Sequence, residues 1–399
     1  MFSRKLPTIL QQAERVGKMP SVPPKKFQAL LEKGMRGRRL DDDELVELIN
    51  GTLSGENQRL LLDFSANYKR PHHNDILLLP PLYFSSKCEN QCLYCDFNNT
   101  DGFRLSYEEF LNEFDALLDM GYRSIELVSS QDPDLFIHRH GKETSSHEQL
   151  YDIHKVAKYF DLGKKRLAEK GGGMLTSNIP PVDGSSLKEL KSAGLDCYLL
   201  WAETFNPAQY SSLHHLDRPK SDQAFRFDSF EKALEAGIGH VAGAFLKGLY
   251  DWRKEEVVLY LFDQFLKRTC GRGLSIIGTP RLKGPFARSN WVKPYQVSDE
   301  EYELNVALDR ILFDGVLWLQ TRETPSLNRR LIARYGGGVI LTLDCSTAPG
   351  GYKSPSKGKA QFPVYRQNLS LAVRQLESDG YRVVFNWDHR TLSDFQRKD

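Results

Sequence analysis

From about Leu77 onward, short apolar runs alternate with longer amphipathic stretches. The apolar runs read "ILLLPPLYFS", "SIELVSS", "GMLTSNI", "CYLLWAE", "HVAGAFLKG", "LSIIGTP", "VLWLQTR" and "GVILTLD". Nearly continuous apolar runs of this length mark strands covered on both faces. Between them lie stretches with apolar positions at helical spacing, among them "SYEEFLNEFDALLDMG", "SSLKELKSAG", "SFEKALEAG" and "SDEEYELNVALDRIL". Several close on glycine, which tolerates the left-handed geometry of a helix end. Repeated strand–helix units imply parallel strands joined by right-handed crossovers. Eight such units in about 270 residues predict a (β/α)8 TIM-type barrel in an α/β fold, with an open doubly wound sheet as the alternative.

The flanks break this rhythm. Residues 1–75 predict a helical extension: "DDDELVELINGTL" opens on acidic residues suited to a helix N-terminus. "VPPKKF" and "KRPHH" read as linkers. Residues 76–352 form the predicted barrel. Residues 353–399 predict a small C-terminal cap, made of an irregular stretch, a helix in "NLSLAVRQLESDG" and then "YRVVFNWD". No internal repeat or low-complexity segment is present. Barrel sites gather at the C-terminal ends of strands. Cys88, Gln131, Asn178, Glu203, Arg281 and Arg322 all fall at or just past such ends.

Composition narrows the class. The 399 residues are 40% hydrophobic and 27% charged, ordinary for a soluble globular protein. The net charge of +2 gives no global attraction to nucleic acid or to an anionic membrane. No run of about eighteen apolar residues predicts a membrane span. The start "MFSRKLPTIL" is too short and polar for a secretory signal. The expected compartment is the cytoplasm, where thiols stay reduced.

That expectation changes the meaning of "SSKCENQCLYCDF". Cys88, Cys92 and Cys95 stand in a C-x3-C-x2-C pattern, while Cys197, Cys270 and Cys345 are scattered. Three thiolates on one short loop can bind three irons of a cubane cluster and leave a fourth iron for a small molecule. Tetrahedral zinc needs a fourth ligand, for which His72 and His73 are available in sequence. Three unrelated buried cysteines are the remaining possibility. The spacing, on a loop just after the first strand, favours the cluster.

With Tyr94 and Phe97 beside its cysteines, this motif resembles that of radical S-adenosylmethionine enzymes. "PLYFSSKCENQCLYCDF", "FRLSYEEF", "MGYRSIELVSSQDP", "AETF", "RPKSD", "GLYDW", "PRL", "TRETP" and "STAPGGY" follow the order seen in one subgroup. That subgroup holds the thiazole-pathway tyrosine lyase, the hydrogenase-maturation tyrosine lyase and the tryptophan lyase of nosiheptide biosynthesis. The similarity runs from about Leu78 to Tyr352. The resemblance implies a 4Fe-4S cluster on Cys88, Cys92 and Cys95 and S-adenosylmethionine as cofactor. It implies reductive cleavage of that cofactor to a 5′-deoxyadenosyl radical, which takes hydrogen from a free amino acid and leads to carbon–carbon cleavage. Tyrosine is the first expected substrate and tryptophan the second. The implied partners are that small molecule and an electron donor such as flavodoxin or ferredoxin, with no nucleic acid.

The same resemblance assigns residues. Tyr94, Gln131, Asn178 and Glu203 match contacts to S-adenosylmethionine; Arg322 matches the anchor for the substrate carboxylate, and Arg281 a second substrate contact. A guanidinium suits a carboxylate because it offers two parallel hydrogen bonds. The chain departs from the subgroup in places. Ser130 and Gln131 replace glycine and glutamate, so an ionic contact becomes an amide contact. Ala202, Phe205 and Asn206 differ within "AETFN", as do Lys283 and Gly284 within "PRLKG". These changes bear on substrate identity more than on radical chemistry. "KSD" (Lys220 to Asp222) and "GLYDW" read as structural, and Cys197 and Cys270 as packing residues. "STAPGGY" is a glycine turn that can approach a ligand, and Cys345 beside it lacks the companions a second cluster needs. Two other readings stay open. One is a radical enzyme acting on a different small carboxylate, in the manner of biotin synthase or hydrogenase maturation. The other is a non-catalytic zinc- or cluster-binding protein.

Overall fold

Ten parallel strands make one curled sheet in the computed structural model, which describes residues 1–396 apart from 21, 98–101, 139–149, 344–350 and 354–359. They are β1 (Asp75–Leu78), β2 (Pro81–Ser85), β3 (Ser124–Ser129), β4 (Met174–Asn178), β5 (Cys197–Glu203), β6 (His240–Phe245), β7 (Ile276–Gly278), β8 (Val316–Leu319), β9 (Val339–Leu341) and β10 (Arg382–Val384). Their order across the sheet is β10-β1-β9-β8-β7-β6-β5-β4-β3-β2. Every apolar run named above contains a strand, and helices pack outside them, as the barrel reading expects.

The first run divides. Pro80 and Pro81 cannot donate to a ladder, and at this point the chain passes from one end of the sheet to the other. Leu79 N donates to Leu341 O (3.2 Å), and Pro80 O accepts from Glu126 N (3.0 Å). This short segment therefore stitches β9 to β3 and closes the base of the barrel. Above it, among the described residues, β2 pairs in the sheet with β3 alone, so the mouth is split along one seam.

"YRVVFNWD", placed in the cap by its sequence, adds β10 to the sheet, with Asp75–Leu77 facing Arg382–Val384. The chain then turns under the barrel. Trp387 Nε1 donates to Leu78 O (2.9 Å). Trp387, Leu392 and Phe395 pack against Leu77, Leu199, Ile276, Val316 and Ile340. The tail thus seals the N-terminal base of the strands, opposite the mouth.

Local signals explain the surrounding helices. Ser106 and Glu109 form a reciprocal capping box that starts Tyr107–Asp119. Phe110, Phe114, Leu117 and Leu118 of that helix are buried. Asp41 and Glu44 start Asp42–Gly51 in the same way. Phe2 is fully buried against Phe205, Phe227, Phe262 and Phe265, so the extension is fastened to the barrel wall. Among the described residues no helix is long and apolar enough to cross a membrane.

Candidate functional site

A cavity with an empty volume of about 1140 Å³, its open mouth included, lies at the C-terminal ends of the strands. Cys88, Cys92, Tyr94, Cys95, Gln131, Asn178, Glu203 and Arg322 all line it.

The cysteine loop leaves β2 and is pinned at three points. Glu89 N donates to Gln131 O (3.1 Å), Leu93 N to Leu213 O (3.3 Å) and Asp96 N to Gln361 O (3.2 Å). Gln91 sits at φ 52°, in the left-handed region, where the loop reverses. Cys92 and Tyr94 pack against Leu213, Leu246 and Leu282; Cys88 packs against Tyr83, Phe97 and Val128. The three thiols are unbridged. Burial pushes Cys92 up to about 11 and Cys95 up to about 12; neighbouring thiols add to this and Lys220 opposes it. Thiolates here call for cationic ligands among them, which suits an iron–sulfur cluster. Among the described residues no group of three or more His, Cys, Asp or Glu is placed to hold one metal ion. His72 is not beside the cysteines: its ring nitrogens lie 3.0 Å from Asp75 Oδ2 and 3.0 Å from Asp394 Oδ2, at the base of the barrel. His73 lies against Gly336, also at the base. The zinc reading therefore loses both of its fourth-ligand candidates.

Glu203 reaches the cavity through a backbone irregularity. The β5–β6 pairing slips between Trp201 and Glu203, and Glu203 takes φ 65°. A bulge re-aims a side chain, and here it turns a carboxylate inward. Lys220 Nζ donates to Glu203 Oε1 (2.7 Å). Burial alone would raise the Glu203 carboxyl, but Lys220 and Arg226 hold it below its ordinary value. Arg226 is fixed by a bond from Nη1 to Trp201 O (2.8 Å). Lys220 also stands 5.4 Å from the centre of the Tyr94 ring. The Tyr94 hydroxyl lies 2.7 Å from His214 Nε2, and His214 Nδ1 lies 2.8 Å from Tyr210 O. A carbonyl only accepts, so Nδ1 carries the proton and Nε2 accepts from Tyr94. Burial, reinforced by Lys220, drives His214 down to about 3, keeping it neutral.

Gln131 is buried, bonds Tyr151 through its side chain, and has an Nε2 with no partner in the described structure. Asn178 Nδ2 donates to Glu126 Oε1 (2.9 Å).

Arg322 and Arg281 part company. Arg281 is not on the cavity wall. It grips Glu323 with both Nε and Nη2, bonds Val297 O (3.0 Å), and pairs with Asp299 (2.7 Å). Lys283 Nζ adds a bond to Glu323 at 3.1 Å. Glu323 is thereby committed and leaves Arg322 alone. Among the described residues the buried Arg322 guanidinium has no hydrogen-bond or ion-pair partner, and its Nε is unsatisfied. Its carbon lies 3.6 Å from the centre of the Phe362 ring. Phe362 belongs to a strap across the mouth. Gln361 holds the cysteine loop, with Nε2 3.6 Å from Cys95 Sγ, and Tyr365 N bonds Thr321 O (3.0 Å).

Lys220, Arg226, His214, Glu126 and the strap were not singled out from sequence. "KSD" read as structural, yet its lysine faces the cavity. Cys345 and most of "STAPGGY" lie outside the described residues; Cys197 and Cys270 lie apart from the cavity, Cys197 in the barrel core.

Residues 82–261 match the profile described as "Radical SAM superfamily". The chain is 24% identical to 2-iminoacetate synthase from Escherichia coli (strain K12) over 371 residues, 91% of this chain and 92% of that protein. It resembles the crystal structure of the FeFe-hydrogenase maturase HydG from Carboxydothermus hydrogenoformans. That similarity has a TM-score of 0.81 at 27% identity and covers 98% of this chain and 86% of the other. Methylornithine synthase (PylB) shares the fold, with a TM-score of 0.67 at 17% identity over 92% of this chain and all of that one.

Proposed function

We propose that this chain, which belongs to the radical S-adenosylmethionine superfamily and is an enzyme of it, cleaves a free aromatic amino acid, tyrosine before tryptophan. The observation that carries the reading is Arg322: a buried guanidinium without a partner among the described residues, in the same cavity as three unbridged thiols. A buried cation left unpaired is costly, and a substrate carboxylate would pair it through two parallel bonds. Kinship to 2-iminoacetate synthase supports tyrosine.

Cys88, Cys92 and Cys95 would hold a 4Fe-4S cluster. When bound, the cluster and S-adenosylmethionine supply one-electron cleavage that delivers a carbon radical for hydrogen abstraction. The chain's own residues do the rest. Arg322 fixes the substrate carboxylate, and Phe362 keeps the guanidinium in place. Tyr94, Gln131, Asn178 and Glu203 line the part of the cavity that would take S-adenosylmethionine, with Lys220 and Arg226 balancing Glu203. The strap at Gln361–Tyr365 and the sealed base exclude water from a reactive intermediate. Arg281 is a positioning residue that occupies Glu323. An electron donor such as flavodoxin or ferredoxin, in the cytoplasm, completes the reading.

The test is 5′-deoxyadenosine formation by reduced, reconstituted protein with S-adenosylmethionine and each proteinogenic amino acid in turn. Tyrosine is expected to accelerate it and to yield a ring fragment. A charge-assisted hydrogen bond is worth about 1.5–3 kcal/mol, so Arg322→Ala should weaken the tyrosine effect roughly tenfold to a hundredfold. If no amino acid accelerates the wild type, the substrate is a different small carboxylate.

A further inference from the structure

The cavity floor carries a carboxyl that the proposed chemistry leaves without a task. Glu126 stands in the middle of β3, between Ile125 and Leu127, which are fully buried in the outer core. Alternation along the strand turns Glu126 inward, where it lines the cavity and is almost fully buried. One of its oxygens accepts from Asn178 Nδ2 (2.9 Å). Among the described residues nothing bonds the other oxygen, and no cation pairs with the carboxyl. Burial pushes it up to about 8, against the pull of Asn178, so it is largely uncharged at neutral pH and can both donate and accept.

The rest of the floor is spoken for. The Trp201 and Trp318 rings stand 5.7 Å apart in a tilted pair. Trp318 Nε1 donates to Thr342 Oγ1, and Thr342 Oγ1 donates to Leu79 O. Gly278 leaves the room Trp201 occupies, since a Cβ there would lie 2.2 Å from its ring. Arg322 lies beyond the end of β8, and Glu126 lies within β3. The carboxylate anchor and the floor carboxyl therefore sit at different depths of one cavity, with aromatic surface at the lower level.

We propose that Glu126, held by Asn178, receives a ring-borne O–H or N–H at the end of the substrate remote from its carboxylate, and thereby selects tyrosine over phenylalanine. This rests on the reading of the cavity as an aromatic amino-acid site anchored at Arg322. A site that pairs with a substrate hydroxyl rejects the analogue lacking it, because the buried group is then left unpaired.

The experiment compares KM and kcat for 5′-deoxyadenosine formation with tyrosine, tryptophan and phenylalanine in wild type, Glu126→Gln and Glu126→Leu. Calorimetric binding of tyrosine and phenylalanine to each protein runs alongside. The urea midpoint and the iron–sulfur absorbance of each protein report that it is folded and loaded. The wild type should prefer tyrosine over phenylalanine by about tenfold or more. Glu126→Leu should bring the two KM values and binding constants within about threefold of each other. Glu126→Gln, which still donates and accepts, should restore most of the preference. If Glu126→Leu retains the wild-type preference, or if the wild type has none, the inference fails while the aromatic amino-acid reading stands. If no aromatic amino acid stimulates the wild type, that reading falls and the inference falls with it. If Glu126→Leu is unfolded, Glu126→Gln decides, since a lost preference there overturns the bonding role.

Discussion

Replacing Glu126 with glutamine should change how stability depends on pH, and the size of the change follows from the floor geometry. The carboxyl sits at about 8 in the fold, against an ordinary value of 4.5, because burial outweighs the single bond from Asn178. Between those values the unfolded chain has released its proton while the fold retains it. The unfolded state then binds fewer protons, so stability declines as pH rises, by about 1.4 kcal/mol per pH unit, and the decline stops above the folded value. The whole interval corresponds to roughly 5 kcal/mol. Glutamine has nearly the same volume and keeps a hydrogen-bonding end, but it cannot ionise. The assay is anaerobic urea unfolding of the reconstituted wild type and Glu126→Gln, side by side, at several values from about pH 6 to about pH 8. Every other contribution is common to both proteins, so the difference isolates one carboxyl. The stability of Glu126→Gln relative to wild type should rise by roughly 2 kcal/mol across that range. A flat difference would mean that Glu126 is already ionised in the fold, and the argument from its burial would be wrong.

Changing Cys88, Cys92 or Cys95 to alanine should abolish the iron–sulfur absorbance of anaerobically prepared protein, whereas Cys197→Ala, deep in the barrel core, should leave it intact. Arg322→Lys should recover little of the substrate effect lost in Arg322→Ala, because an ammonium cannot form the planar fork; isothermal titration with tyrosine measures this. Arg281→Met should lower the urea midpoint by an amount equivalent to about 3 kcal/mol, since among the described residues Glu323 would keep Lys283 alone as a cationic partner. Its substrate-independent cofactor cleavage should persist.

The strands were legible because a parallel barrel buries both faces of each strand and leaves an apolar run as its trace. "YRVVFNWD" escaped because β10 is partly exposed and, among the described residues, pairs with β1 alone, so its run is short and mixed. Cys88, Cys92, Cys95, Gln131, Asn178, Glu203 and Arg322 could be grouped from sequence because parallel barrel strands carry their C-terminal ends to one face, and the structure gathers these residues around one cavity there. Lys220 was read as structural, since nothing local to "KSD" points to Glu203, seventeen residues away. Glu126 carried a signal that went unused. A lone carboxylate within "SIELV" has no cation in its own segment, and burying one without a partner is costly. Arg281 misled because arginine past a strand end suits a ligand and a structural carboxylate equally. Only the tertiary position of Glu323 separates the two.

The base seal has a consequence for how the chain reaches its native state. The bond from Trp387 to Leu78 joins residues 309 positions apart, and the one from Phe2 to Glu231 spans 229. Contacts this remote in sequence demand large loop closures before they return any free energy, and they slow folding. While the residues after Val384 are still being synthesised, Leu77, Ile276, Val316 and Ile340 face an unplugged, wet floor. The nascent barrel is then at its most adhesive. The locking step belongs to Trp387, Leu392 and Phe395, so deleting the residues after Val384 should show first as aggregation during synthesis, before any defect in chemistry is measurable.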